Sequence, residues 1–297
     1  MPARRPAALA ALACVAAISS LALALSVPTP VTPPSRAQAQ RGDVEATYRM
    51  ALTHKRAGRL DEALRAAQEV VAARPTHAAA HFTIGSIHRL QGHYDLALAS
   101  FQRVVELAPT DHDGHAMTGA MFARLRRFEE AVPELRRAVE LDAHDVSSWG
   151  NLGACYRQLR RLPDAIRAYE QAIELNPDNP DLLNNYAVAL RQAGRPEEAI
   201  VALETALTRA PDEASFHLNL AVAYRSISSW AEAAQHFEAG IGSGVPEDPG
   251  LLFDLGYCYE QLSRRDDAAR VYRRYIAAVR GRDAEGDARA QERLGGL

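Results

Sequence analysis

Three asparagines, Asn151, Asn185 and Asn219, stand 34 residues apart. Five basic residues keep the same interval: Lys55, Arg89, Arg157, Arg191 and Arg225, with one beat missed at Ala123. A side-chain amide both donates and accepts hydrogen bonds, which suits the backbone of an extended chain. A row of cations suits carboxylates. Repeated at a fixed interval, these residue types point to recognition rather than to a reaction.

The other reactive side chains form no catalytic pattern. There is no GxSxG, HExxH or P-loop. Asp111-His112-Asp113, with His115, could meet a metal ion if His77 or His81 came close, but loop aspartates usually cap helices. No metal or cofactor is therefore expected. His81, His115 and His217 fall on one equivalent position and His54 and His88 on another, where packing between helices is expected. Cys155 and Cys258 occupy equivalent places far apart in the chain, and no CxxC occurs, so buried thiols are expected. Net charge is −3. The arginine pairs near each turn read as solvated charge, and no nucleic-acid partner is expected.

The 34-residue interval belongs to the whole chain. NLGACYRQLRRLPDAIRAYEQAIELNP at 151–177 recurs in pattern as NYAVALRQAGRPEEAIVALETALTRAP at 185–211. Extended outward, the alignment gives seven units: 44–77, 78–111, 112–145, 146–179, 180–213, 214–247 and 249–282. Their eighth position is always Gly or Ala, from Ala51 to Gly256, and their twentieth is always Ala, from Ala63 to Ala268. A larger residue at such places would push two helices apart. Trp149, Leu152, Gly153 and Tyr156 mark one helical face, and Ala165, Ile166, Tyr169, Ala172 and Ile173 another. Acidic pairs such as Glu197-Glu198 open the second helix, and prolines such as Pro177 and Pro211 close it.

Trp149, Leu152, Gly153, Tyr156, Ala165, Tyr169 and Pro177 match the W-x2-L-G-x2-Y, A-x3-[FY], P pattern, so the chain resembles the tetratricopeptide repeat family over 44–282. The resemblance implies an all-α fold: a right-handed α-solenoid, or superhelix, of about seven helix–turn–helix repeats. Residues 283–297 are expected to form a C-terminal capping helix. Two departures are local. Unit three has Ala143 in place of proline and Pro133 inside its second helix, where a mild bend is expected. GSGVPEDP at 242–249 lengthens one linker. The family also implies that first helices line a concave groove, which would carry Asn151, Asn185, Asn219 and the five basic residues. The asparagine ladder resembles that of the O-linked N-acetylglucosamine transferases, which grips an extended peptide by its backbone.

Residues 1–39 read as an export segment. Arg4 and Arg5 precede an uncharged run from Ala7 to Val27, then a proline-rich stretch and Ala37-Gln38-Ala39. The order is that of a signal peptide, yet the run is long enough for a membrane anchor. Either form exports the body of the protein, which is expected in the periplasm or elsewhere at the cell envelope. The membrane is then a partner only through this segment, if it is not cleaved. The function expected is a non-catalytic scaffold that binds a partner protein segment in its groove. The alternatives are an accessory factor for envelope assembly or polysaccharide export and, remotely, a metal-dependent enzyme at the histidine cluster.

Overall fold

Two kinds of helix start alternate along the chain. One kind is capped by a side chain: Asp145 accepts from Ser147 N at 3.0 Å, Asn179 from Asp181 N at 3.0 Å and Asp248 from Gly250 N at 2.8 Å. These caps satisfy amides that a helix leaves bare at its first turn. The other kind starts at an arginine that pairs with an acid three residues on: Arg127 with Glu130, Arg161 with Asp164, Arg195 with Glu198 and Arg264 with Asp267. In three of the four, the same guanidinium lies over an aromatic ring of the preceding helix: Phe122, Tyr156 and Tyr259.

A computed structural model describes residues 36–242, 248–279 and 283–297 of the chain, with side chains from Asp43 onward. It contains α1 (Arg36–Arg56), α2 (Leu60–Ala73), α3 (Ala78–Leu90), α4 (Tyr94–Leu107) and α5 (His112–Arg124). These are followed by α6 (Phe128–Leu141), α7 (Val146–Gln158), α8 (Leu162–Leu175), α9 (Pro180–Gln192) and α10 (Pro196–Arg209). The chain continues with α11 (Ala214–Ser226), α12 (Trp230–Gly242), α13 (Pro249–Gln261), α14 (Arg265–Val279) and α15 (Ala284–Gly296). No strand occurs among the described residues. The fold is an all-α solenoid of tetratricopeptide repeats, from α2 onward each helix packed on the next, with α15 packed against α14.

Contacts divide the chain into Met1–Gly42 and Asp43–Leu297. Of the first part, only the opening residues of α1 are described, and Ala37-Gln38-Ala39 fall in its first turns. Arg4, Arg5, Cys14, the uncharged run and most of the lengthened linker lie outside the described residues. Among the described residues no helix is long and apolar enough to cross a membrane.

Within each repeat the turn is closed in one way. Arg161 N reaches Tyr156 O at 2.9 Å and Arg160 N reaches Arg157 O at 3.1 Å, the double bond of a Schellman turn. The residue at its apex is left-handed: Gly58, Gly92 and Gly194, but also Arg126, Arg160, Ser228 and Ser263. Pro133 is accommodated inside α6, which continues to Leu141.

The small residues are needed for one specific contact. A Cβ on Gly153 would lie 2.9 Å from the Tyr169 ring, on Gly85 2.9 Å from Phe101, and on Gly256 2.7 Å from Tyr272. Each glycine thus makes room for the large side chain four residues after the repeat's invariant alanine. Those alanines, including Ala97, Ala165 and Ala268, have no exposed surface. Cys155 and Cys258 are buried as well, and burial pushes both thiols up to about 11.

Candidate functional site

First helices meet one another along the stack. α5 touches α7, α7 touches α9, and α9 touches α11. In a curved stack the inner elements approach most closely, so these helices form the inner side of the groove.

The structure gathers the basic residues into two groups. Lys55 and Arg89 form one: burial, then the charge of Arg89, pushes the Lys55 ammonium down. Arg157, Arg191 and Arg225 form the other, and Arg191 is lowered by burial and then by Arg225 and Arg157. Met117 and Ala123 of α5 separate the two groups. Like charges held this close repel in a partly desolvated groove. The Nε of Arg157 and the hydroxyl of Tyr169 are buried beside each other, and neither atom makes a well-formed hydrogen bond. Among the described residues neither Arg157 nor Arg191 makes an ion pair.

Arg225 differs from its two neighbours. Its guanidinium bonds Asp254 of α13 at 2.5 Å, so its charge is already met within the chain. Burial raises Asp254, and Arg225 offsets part of that rise. The asparagines divide similarly. Asn219 donates to Asn184 at 2.8 Å. Asn151 is exposed and Asn185 half-buried, and among the described residues neither amide forms a hydrogen bond. Asn184 is a groove residue that the 34-residue ladder missed; its signal was the doubled asparagine in LLNNY.

The closed end is occupied by its own chain. Glu260 accepts from Arg293 of α15 at 2.8 Å and from the Tyr272 hydroxyl at 2.9 Å. Arg293 lies 4.9 Å over Tyr257, and Arg289 lies 5.9 Å over Phe253. At the other end Tyr48 bonds Ala79 O at 3.2 Å, and Phe82 packs edge-on to Phe101 at 5.3 Å. The groove aromatics therefore serve packing.

The histidines do more than fill space. The Nε2 of His81 lies 2.9 Å from Pro75 O, that of His115 3.1 Å from Pro109 O, and that of His217 2.9 Å from Pro211 O. Trp149 Nε1 makes the same bond to Ala143 O at 3.0 Å. Each clamps a repeat to the loop before it. Leu183 and Leu252 hold the position in units five and seven and make no such bond. His115 also faces Glu134 at 2.7 Å, and His77 caps its own helix, so neither joins a metal cluster. Ligand atoms of Asp111, His112 and Asp113 do lie within 4.8 Å of one another, but Asp113 is exposed, the other two are only half-buried, and Asp111 caps α5.

One open cleft of about 560 Å³ lies on the second-helix side, floored by Trp149 and Tyr156 between α6 and α8. Its charges are spent on each other: Arg167 and Arg161 on Asp164, Arg136 and Arg137 on Glu140. Unmet charge is found in the groove instead.

A family profile described as the cilia and flagella-associated protein 70 C-terminal domain matches residues 5–251, and a tetratricopeptide repeat profile matches 251–279. No curated protein matches the chain by sequence. Among solved structures, pilF from Pseudomonas aeruginosa is similar at a TM-score of 0.62 with 19% identity, covering 73% of this chain and 97% of its own. YrrB, titled a TPR protein with an unusual peptide-binding site, is similar at 0.55 with 22% identity, over 61% of this chain and 96% of its own. A tetratricopeptide repeat protein from Parabacteroides merdae reaches 0.61 with 15% identity, over 85% and 97%. At these identities the structural likeness speaks for the fold alone. The sequence profiles go further: the chain belongs to the tetratricopeptide repeat proteins, in the family described as the cilia and flagella-associated protein 70 C-terminal domain.

Proposed function

We propose that the protein is a non-catalytic scaffold that holds an extended, acidic segment of a partner protein in its first-helix groove. The observation that carries this reading is the pair Arg157 and Arg191: crowded, half-buried and without a carboxylate. Leaving such charges unmet is costly, and an acidic segment would relieve their repulsion. The free amides of Asn151 and Asn185 lie on the same helices and can bond a peptide backbone. Lys55 and Arg89 offer a second, separate contact nearer the start of the solenoid. Asn219 and Arg225, bonded within the chain, would frame the segment rather than grip it. YrrB's titled peptide-binding site supports the capacity of this fold for such a ligand. The groove needs no metal or cofactor, and its short basic rows favour a protein segment over nucleic acid.

The scaffold would act outside the cytoplasm, exported by residues 1–39 and tethered to the membrane if they stay in place. Mass spectrometry of the native protein checks this; a soluble cytoplasmic protein with an intact start would refute it. The groove is tested by titrating labelled 12-residue peptides, one rich in Asp and Glu and one with the matching amides. Tighter binding of the acidic peptide, weakening with salt and lost on changing Arg157 and Arg191, is expected. Equal affinity for both peptides would overturn the assignment. Binding of a saccharide instead would favour an export accessory role.

A further inference from the structure

Unit six carries a pair of imidazoles that the groove does not use. His217 of α11 and His236 of α12 bring their Nδ1 atoms to 3.0 Å, with the rings 5.2 Å apart and inclined by 26°. In unit three the same place holds His115 against Glu134. In unit four it holds Trp149, with Ala168 where His236 stands. Among these units, unit six alone sets two nitrogen ligands face to face.

The tautomer of His217 follows from its other contact. Pro211 O can only accept, so the Nε2 that lies 2.9 Å away carries the proton. Nδ1 of His217 is then a lone pair, directed at His236. A metal-bound histidine characteristically donates its second N–H to a backbone carbonyl, which fixes the ring and strengthens the donor nitrogen. In the resting pair the Nδ1–H of His236 donates to that lone pair head-on; two nitrogens at about 2.0–2.1 Å from one ion sit about 3–3.4 Å apart, so a modest rotation of the rings would turn both onto a shared ion.

The surroundings of His236 fit the same role. The Tyr224 ring stacks on it with an interplanar angle of 7° at 5.7 Å. The Tyr224 hydroxyl holds Glu204 of α10 at 2.6 Å, and that carboxylate acts on the His236 ring. A nearby carboxylate offsets the charge of a bound cation. Burial and the neighbouring His217 hold His236 below the usual histidine range, which keeps it in the neutral form that binds metals.

We propose that His217 and His236 bind a divalent transition-metal ion through their Nδ1 atoms, bridging the two helices of unit six. Imidazole donors select ions such as Zn2+, Ni2+ and Cu2+ over Mg2+ and Ca2+. Both rings are half-exposed, so water fills the remaining positions and the ion exchanges freely. On binding, the proton of His236 moves from Nδ1 to Nε2, and no net charge leaves the protein. Glu204 balances the ion from outside the ligand set. The site lies between α11 and α12 and shares no residue with the basic row of the groove, so its test is separate from that of peptide binding.

The test uses the full chain, free of any affinity tag and stripped with chelator. Zn2+ is titrated by calorimetry, and thermal unfolding is followed with Zn2+ and with Mg2+. Saturable binding of about one equivalent in the micromolar range and a Zn2+-specific rise in Tm are expected. His236→Phe keeps the stack on Tyr224 and removes the nitrogen; it should abolish both effects. His112→Ala, in the exposed acidic cluster, should leave both unchanged. Zn2+ binding that survives His236→Phe but is lost in His112→Ala would overturn the proposal, as would a wild type that does not discriminate Zn2+ from Mg2+. If His236→Phe fails to fold, nitrogen NMR of histidine-labelled wild type decides. Zn2+ should shift the Nδ1 resonances of two rings, and an unchanged spectrum refutes the site.

Discussion

Units four and five and unit seven use the same positions of the same repeat for opposite ends. In the middle of the solenoid, position twelve of the first helix is Arg157 and Arg191, and among the described residues no carboxylate answers either charge. In unit seven that position is Glu260, answered by Arg293 of the closing helix, while Asp254 answers Arg225. The closed end is electrostatically complete and the middle is not. Where α15 covers the groove face of unit seven, that face is met by a partner from its own chain. An internal face left unpaired has no such partner, and it is where the proposed segment would lie.

The comparison breaks most sharply if the middle is given the sign of the end. Arg157→Glu with Arg191→Glu should abolish acidic-peptide binding, since each charge-assisted bond is worth about 1.5–3 kcal/mol. The titration described above reads it, and circular dichroism should show an unchanged fold. Next in size is packing, where the two regions should behave alike. Gly153→Ala and Gly256→Ala each press a methyl into a tyrosine ring and should cost about 1–3 kcal/mol in urea unfolding. A neutral result at either site would mean that its ring moves aside. Asn151→Ala or Asn185→Ala should weaken peptide binding by about 0.5–1.5 kcal/mol, and Asn219→Ala by less, because its amide is held by Asn184. The smallest change is made at the boundary of the two regions. Asp254→Asn frees Arg225, lengthens the unpaired row to three and should tighten acidic-peptide binding by up to about 1 kcal/mol. Weaker binding in this variant would show that the pair positions Arg225 for the ligand.

Much of the architecture was written in the spacing of small residues. Ala165 and its six equivalents fix the register of every repeat, because their places admit nothing larger. What periodicity could not supply was pairing between helices. Arg225 and Asp254 are 29 residues apart, and neither belongs to the other's ladder; only the placing of α11 and α13 on either side of α12 brings them together. Asn184 escaped for the same reason, since it lies one position off the asparagine ladder and meets Asn219 only across a repeat boundary. His81, His115 and His217 were legible as packing residues. Their bonds to loop carbonyls were not, because the acceptors are backbone atoms that any residue can supply, as Ala143 does for Trp149. The glycines were read correctly as close approach; the groups approached, Phe101, Leu135, Tyr169 and Tyr272, could not be told from the glycine positions alone.

The clamps at position four also set how the solenoid deforms. A hydrogen bond is directional and stiff to rotation, whereas an apolar contact lets one surface slide on another. Four repeat boundaries carry the stiff connection. The boundary between units four and five has Leu183 in its place and keeps only exposed bonds between side chains, from Tyr186 to Glu170 and from Arg209 to Asp178. Among the described residues no side-chain hydrogen bond joins α7 to α9. Arg157 and Arg191 stand on the two sides of this compliant joint. The gap between the two guanidinium groups thus spans a joint without such a clamp, free to open or close to the spacing of carboxylates on whatever lies there. Spin labels placed across this boundary should give a broader distance distribution than labels across the boundary clamped by Trp149, and the distribution should narrow when an acidic peptide binds.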